Sequence, residues 1–149
     1  MAHSYVCCFT HLVFSTKERV GLLAPEVRER LFPYLGGIAR ENGFSALCVG
    51  GAQDHVHMLL SLPATITLAR AVQLLKGGSS KWLCETYPGR PFEWQEGYGA
   101  FSVSVSMIDA TKAYIENQVE HHKKKTFAEE FTEFLKRHNI DYDPRFVLG

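Results

Sequence analysis

Two histidines one residue apart, in Asp54-His55-Val56-His57-Met58-Leu59-Leu60, are the residues of this chain best placed to do chemistry. In an extended strand, side chains two positions apart share a face. His55 and His57 would therefore project together, while Val56, Met58 and Leu60 turn toward an apolar core. Two parallel neutral imidazoles can chelate one divalent ion. The same spacing also suits two interior histidines held by hydrogen bonds, and the strand alone does not choose between them. Asp54 reads as a turn or cap residue, or as the partner that orients a ligating imidazole. A catalytic centre needs a third ligand and a reactive group besides. In Tyr114-Ile115-Glu116-Asn117-Gln118-Val119-Glu120-His121-His122, the residues Tyr114, Gln118 and His122 follow at intervals of four on one helix face. That polar stripe is ordinary on a solvated face and becomes chemical if it lies over the strand of the two histidines. His121 and His122 themselves read as a solvated helix end, with further ligands or contacts to a partner as the other reading.

The elements that must position these groups follow from periodicity. Ser4 to Ser15 is rich in Val, Phe, Cys and Thr, as a strand buried on both faces would be. Pro25 suits a first helical turn, and Val27, Leu31, Leu35 and Ile38 continue at helical spacing to the stop at Asn42-Gly43, with Pro33 and Gly36-Gly37 predicting a kink. Phe44–Gly51 and His55–Leu62 read as strands joined by a short turn. Thr65 or Thr67 caps a helix with the stripe Leu68, Val72, Leu75 and Leu83. Tyr87 to Gly99 is loop. Ala100 to Met107 alternates apolar residues with serines, a period-2 strand. Asp109 opens a helix running to about Lys124, and a last amphipathic helix carries Phe127, Phe131, Phe134 and Leu135 to near His138-Asn139. The order β-α-β-β-α-β-α-α predicts an α+β fold: a ferredoxin-like, RRM-like antiparallel sheet with helices on both faces and added C-terminal helices.

Composition bounds what such a site can serve. The 149 residues carry 16 Lys plus Arg against 16 Asp plus Glu, and are 46% hydrophobic and 21% charged. That excludes a disordered or low-complexity chain and suggests a single domain over residues 1–149. No run of 18 apolar residues occurs, so no membrane span is expected. The opening segment lacks a basic start, so it is not expected to be a signal peptide, and a cytoplasmic protein is expected. The four cysteines form no CxxC pair and are expected to be reduced, mostly buried thiols. Zero net charge argues against binding nucleic acid by bulk attraction. Yet Arg70, Lys76, Lys81 and Arg90 face only Glu85 between Ile66 and Phe92, and His121 to Lys125 is a second basic run. A local basic surface is expected on a neutral molecule.

In order and spacing, these segments resemble the HUH-type tyrosine transposases, small insertion-sequence enzymes acting on single-stranded DNA and related to the REP-associated tyrosine transposases. The resemblance covers nearly the whole chain. It rests on Thr16-Lys17 and Arg19, the stretch from Asp54 to Leu60, Lys76-Gly77-Gly78-Ser79-Ser80, the run from Trp94 through Gly97-Tyr98-Gly99-Ala100-Phe101-Ser102, and Tyr114 to His122. Gly77-Gly78 departs from the pattern, where relatives more often carry a bulkier or basic residue. The resemblance implies that His55 and His57 are metal ligands, Gln118 the third, and Tyr114 the nucleophile. It implies Mg²⁺ or Mn²⁺, a 5′-phosphotyrosine intermediate, and rejoining of element ends without ATP. It implies single-stranded DNA with hairpin-forming ends, and a homodimer in which each Tyr114 helix reaches the partner's histidines. Arg70, Lys76 and Lys81 would contact hairpin phosphates or form a solvated helix face. Trp94, Tyr98 and Phe101 could stack on bases, although Phe101 suits the core better. A histidine-triad nucleotide hydrolase needs a further histidine where Leu59 stands. A non-catalytic RRM-like binding module needs exposed aromatics where this chain has histidines. A domesticated HUH endonuclease would share every residue named.

Overall fold

The computed structural model describes residues 3–145 and Val147. Four strands, β1 (Phe9–Ser15), β2 (Ser45–Gly51), β3 (His55–Ser61) and β4 (Gly99–Val103), form one sheet in the order β2-β3-β1-β4. Every neighbouring pair is antiparallel. Helices α1 (Pro25–Glu41) and α2 (Leu68–Thr86) cover one face. There Leu12, Phe14, Val56, Met58 and Leu60 pack with Val27, Leu31, Leu35, Val72 and Leu75. The other face carries α3 (Ile108–Glu116), the short α4 (Gln118–His121) and α5 (Phe127–Arg137). Phe127, Phe131 and Leu135 of α5 lie there against Val13 and Phe101. This is the expected α+β architecture with helices on both faces.

Because both faces are covered, β3 is buried along nearly its whole length. Its period of two thus sorts residues between two interiors: Val56, Met58 and Leu60 to the apolar one, His55 and His57 to the side beneath α3–α5. The cross-strand register extends this second row. Val13 pairs with His57, Ser15 with His55, and His11 with both Leu59 and Phe101.

Capping fixes the helix starts. Thr67 accepts a hydrogen bond from the Arg70 amide, while Thr126 and Glu129 form a reciprocal capping box at α5. α1 runs through Pro33 as one helix. Pro33 is exposed, so water can reach the carbonyl its missing N–H would have served. α2 is likewise continuous across Gly77-Gly78.

Several expected boundaries shift. The strand predicted over Ser4–Ser15 starts at Phe9, and that over Ala100–Met107 stops at Val103, followed by a 3-10 turn at Val105–Met107. Both have one cause: Phe9 pairs with Ser61 on one side and Val103 on the other, so the three strands end level. The helix predicted from Asp109 to Lys124 breaks at Asn117, whose backbone leaves the helical range. The cysteines are free thiols as expected, but Cys7, Cys8 and Cys84 are exposed rather than buried, since the first two precede β1.

Candidate functional site

Gly50 decides how near α3 comes to the sheet. It sits in β2 opposite His57, and a Cβ there would collide with the Ile115 carbonyl oxygen and side chain. Only a glycine lets the α3 backbone approach this closely, and Tyr114 is the residue before that contact. On the other side Phe131 of α5 rests over Gly99, where a Cβ would meet its ring. Two glycines thus let helices descend onto the row of histidines.

His55 and His57 are fully buried. His55 Nδ1 lies 2.7 Å from Asp54 Oδ1, so the carboxylate takes the ring N–H and turns the Nε2 lone pair inward. Gln118 Oε1 stands 2.9 Å from that Nε2. The amide orientation is fixed because Gln118 Nε2 donates to the Tyr114 carbonyl at 3.1 Å. Two lone-pair atoms therefore face one another with no proton assigned between them. Two donors each about 2.1 Å from one ion, at right angles, stand about 3 Å apart. The donor set fits a divalent cation.

His57 extends the cluster. Its Nδ1 lies 2.7 Å from His11 Nε2, and its Nε2 lies 2.9 Å from Glu130 Oε1. Burial first, then the neighbouring histidines, lowers the His57 pKa to about 4 despite Glu130, and lowers that of His11 to about 3. Both imidazoles are neutral near pH 7, the form that binds metals. His122 Nε2 lies 3.2 Å from Glu130 Oε1, and His121 Nε2 the same distance from Oε2. The nearest ligand atoms of His55, His57, His122 and Glu130 all fall within 4.8 Å of one another.

Tyr114, half-buried at the rim, donates its hydroxyl to Glu130 Oε2. Its ring centroid is 5.7 Å from that of His57. Burial, then the bond to Glu130, raises the phenol pKa above its ordinary value. Burial alone would raise the Glu130 pKa too, but the imidazoles of His122 and His57 beside the carboxylate and the Tyr114 hydroxyl outweigh it and hold the carboxyl well below the usual range. Beside Tyr114 opens a cleft of about 510 Å³ lined by His11, Phe101, Thr111, Phe134, Arg137 and His138 among others.

A sequence profile of IS200-like transposases matches residues 4–118. The ISDra2 transposase TnpA of Deinococcus radiodurans is 31% identical over 114 residues, spanning 72% of this chain and 81% of that protein. The chain belongs to the IS200-like transposase family. A solved structure of a Deinococcus radiodurans R1 protein assigned as a transposase is 30% identical. It superposes with a TM-score of 0.65 over 79% of this chain and 96% of that one. The structure of a REP-associated tyrosine transposase bound to a REP hairpin shares the fold at 14% identity, with a TM-score of 0.56 over 77% of this chain and 68% of that one.

For an IS200-like transposase the sequence-derived residues meet in one place: His55, His57, Gln118 and Tyr114 converge within a single chain. Tyr114 lies beside that chain's own His57. The basic residues divide. Arg70 is exposed and bonds Gln73 at 2.9 Å, and Lys81 is exposed on the same helix. Lys76 instead plants its ammonium on the carbonyls of Gln95 (2.6 Å), Glu96 (3.3 Å) and Gly97 (2.9 Å). It clamps the loop before β4, so the free phosphate contact read from its position does not describe it here. Trp94 is also no stacking platform: it is buried against Phe14 and donates to Ser79 Oγ at 3.0 Å. Phe101 is core, as its alternation suggested.

Two members escaped the sequence reading. His11 carried a signal, since it shares strand parity with Val13 and Ser15, but the register that brings it to His57 is tertiary. Glu130 occupies an apolar-stripe position of α5, three residues after Phe127, an acid where the pattern calls for a hydrophobe. The pair His121-His122, taken for a solvated helix end, instead lies beside Glu130, each Nε2 3.2 Å from one of its carboxylate oxygens.

Among the described residues no helix is long and apolar enough to cross a membrane.

Proposed function

We propose that this chain is a metal-dependent single-strand DNA transposase, folded as one domain, that cleaves and rejoins element ends through a 5′-phosphotyrosine at Tyr114. The observation that carries this reading is the meeting of a tyrosine hydroxyl at the edge of an open cleft with two buried imidazoles and an inward-facing amide oxygen beneath it. His55, His57 and Gln118 would hold the metal. A bound Mg²⁺ or Mn²⁺ supplies positive charge for the non-bridging phosphate oxygens.

Tyr114 Oη attacks the scissile phosphorus. The Oη–P bond forms and the P–O3′ bond breaks. The phenol proton is lost to solvent as the bond forms, and the departing 3′-oxygen takes a proton from solvent. The bond energy stays in the phosphotyrosine, so a second 3′-OH can attack the same phosphorus, release Tyr114 and join new ends. Asp54 and His11 keep their imidazoles in the ligating tautomer and orientation.

The cleft of about 510 Å³ beside Tyr114 is the proposed seat for unpaired nucleotides. The REP-associated relative holds a REP hairpin, and hairpin-forming ends are the proposed substrate, with Arg70 and Lys81 on its phosphates. A sheet-face binding module is disfavoured because α3–α5 cover the face such a module would present. Joining two ends needs two tyrosines, so a homodimer is proposed.

The test is incubation of the protein with labelled single-stranded element ends and Mg²⁺ or Mn²⁺. The wild type should form a covalent protein–DNA adduct. Tyr114→Phe should form none while still binding the hairpin. Adduct formation by Tyr114→Phe at the wild-type rate would overturn the assignment.

A further inference from the structure

The proposed reading asks for three ligands, yet more donors point into the cluster than that. Glu130 Oε1 is the atom on which they converge: 2.9 Å from His57 Nε2, 3.2 Å from His122 Nε2 and 3.8 Å from His55 Nε2. The carboxylate is 2% exposed, and no lysine or arginine pairs with it among the described residues. His122 adds a second, independent sign. Its side chain is 8% exposed, and its Nε2 is buried with no aligned hydrogen-bond partner even though the carboxylate is near. A buried ring nitrogen of that kind has lost water without gaining a partner. Coordination would supply one.

We propose that Glu130, brought in by α5, and His122, at the end of α4, join His55 and His57 as direct ligands of this centre, which therefore prefers a nitrogen-seeking transition-metal dication to Mg²⁺. This rests on the metal-dependent reading of the same site and adds to its ligand set. Mg²⁺ prefers oxygen ligands and retains several waters, whereas three imidazoles with one carboxylate suit ions further along the first transition row. The carboxylate has a second consequence. Its other oxygen accepts the Tyr114 hydroxyl, so one residue ties the ligand sphere to the nucleophile. Glu130 is thus a ligand through Oε1 and a positioning residue for Tyr114 through Oε2.

The experiment is titration of full-length, metal-stripped protein with Co²⁺ and with Mg²⁺ by calorimetry, together with the visible absorption of the Co²⁺-loaded protein, which reports ligand number and type. Co²⁺ should bind at least about a hundredfold more tightly than Mg²⁺. Glu130→Gln, which keeps shape, and His122→Asn should each weaken Co²⁺ at least about tenfold and shift its bands, with circular dichroism unchanged. His55→Ala serves as the reference. If it loses Co²⁺ while Glu130→Gln and His122→Asn keep wild-type affinity and bands, the added ligands are wrong and the three-ligand centre stands. If Co²⁺ affinity survives His55→Ala and His57→Ala as well, the metal centre itself is wrong and this inference falls with it. Equal affinity for Mg²⁺ and Co²⁺ would overturn the selectivity.

Discussion

At the scale of single residues, burial sets the protonation of the histidines under Tyr114, and this couples the site to stability. His57 has its pKa lowered from 6.5 to about 4, and His11 from 6.5 to about 3, burial being the largest cause in each. As pH falls below 6.5 the unfolded chain takes up protons that the folded chain refuses until about pH 4 for His57 and about pH 3 for His11. The unfolded state binds more protons, so stability falls on acidification, by up to about 1.4 kcal/mol per pH unit per histidine. Glu130 acts in the same direction at lower pH, since its folded carboxyl is held below the usual range. The urea midpoint of metal-free protein should therefore drop steadily from pH 7 to pH 4.5, and His11→Leu should flatten the slope. A midpoint independent of pH over that interval would mean that these imidazoles accept protons in the folded state.

Among the elements, the placement of α3 matters most, because it carries the tyrosine. Its distance from the sheet is set by Gly50 against the Ile115 backbone. Gly50→Ala should cost about 1–3 kcal/mol through overpacking and push α3 outward. A displacement of about 1 Å at the reacting atoms costs about a hundredfold in rate, so adduct formation should fall by roughly that factor while hairpin binding persists. Gly36→Ala in α1, where an added Cβ meets nothing within 4 Å, should instead stabilise by about 0.5–1 kcal/mol and leave cleavage alone. Unfolding midpoints and adduct rates of the two variants separate these effects. The contrast also marks what the sequence could disclose. Strand parity put His55 and His57 on one face, and intervals of four put Tyr114 and Gln118 on another, because both periods are local. The register pairing Val13 with His57, which delivers His11, is not local, nor is the descent of α5, which delivers Glu130. The break at Asn117 has no proline or glycine to announce it.

For the molecule as a whole, the question is whether one chain builds a working site. Within the chain, Gln118 faces His55 at 2.9 Å, Tyr114 bonds Glu130, and Glu130 lies 2.9 Å from His57. Each contact links α3, α4 or α5 to the same chain's β3 or to one another. Resemblance to the HUH transposases leads instead to a partner-shared site, in which the tyrosine helix of one chain serves the histidines of the other. Mixing two dead variants distinguishes these arrangements. In a dimer of one Tyr114→Phe chain and one His57→Ala chain, self-contained sites are both broken: one lacks the nucleophile and the other a ligand. Shared sites would produce one centre with both histidines and an intact Tyr114, and Gln118, four residues further on, would come with it. The single-chain geometry predicts no adduct in the mixed dimer. The measurement is co-expression of differently tagged variants, purification through both tags, and the adduct assay with each parent shown to be folded by circular dichroism. Activity approaching half that of wild type would mean that α3 and α4 exchange between chains. The exchange would have to break the Tyr114–Glu130 bond, since α5, packed on Val13 and Phe101 of its own sheet, would remain behind.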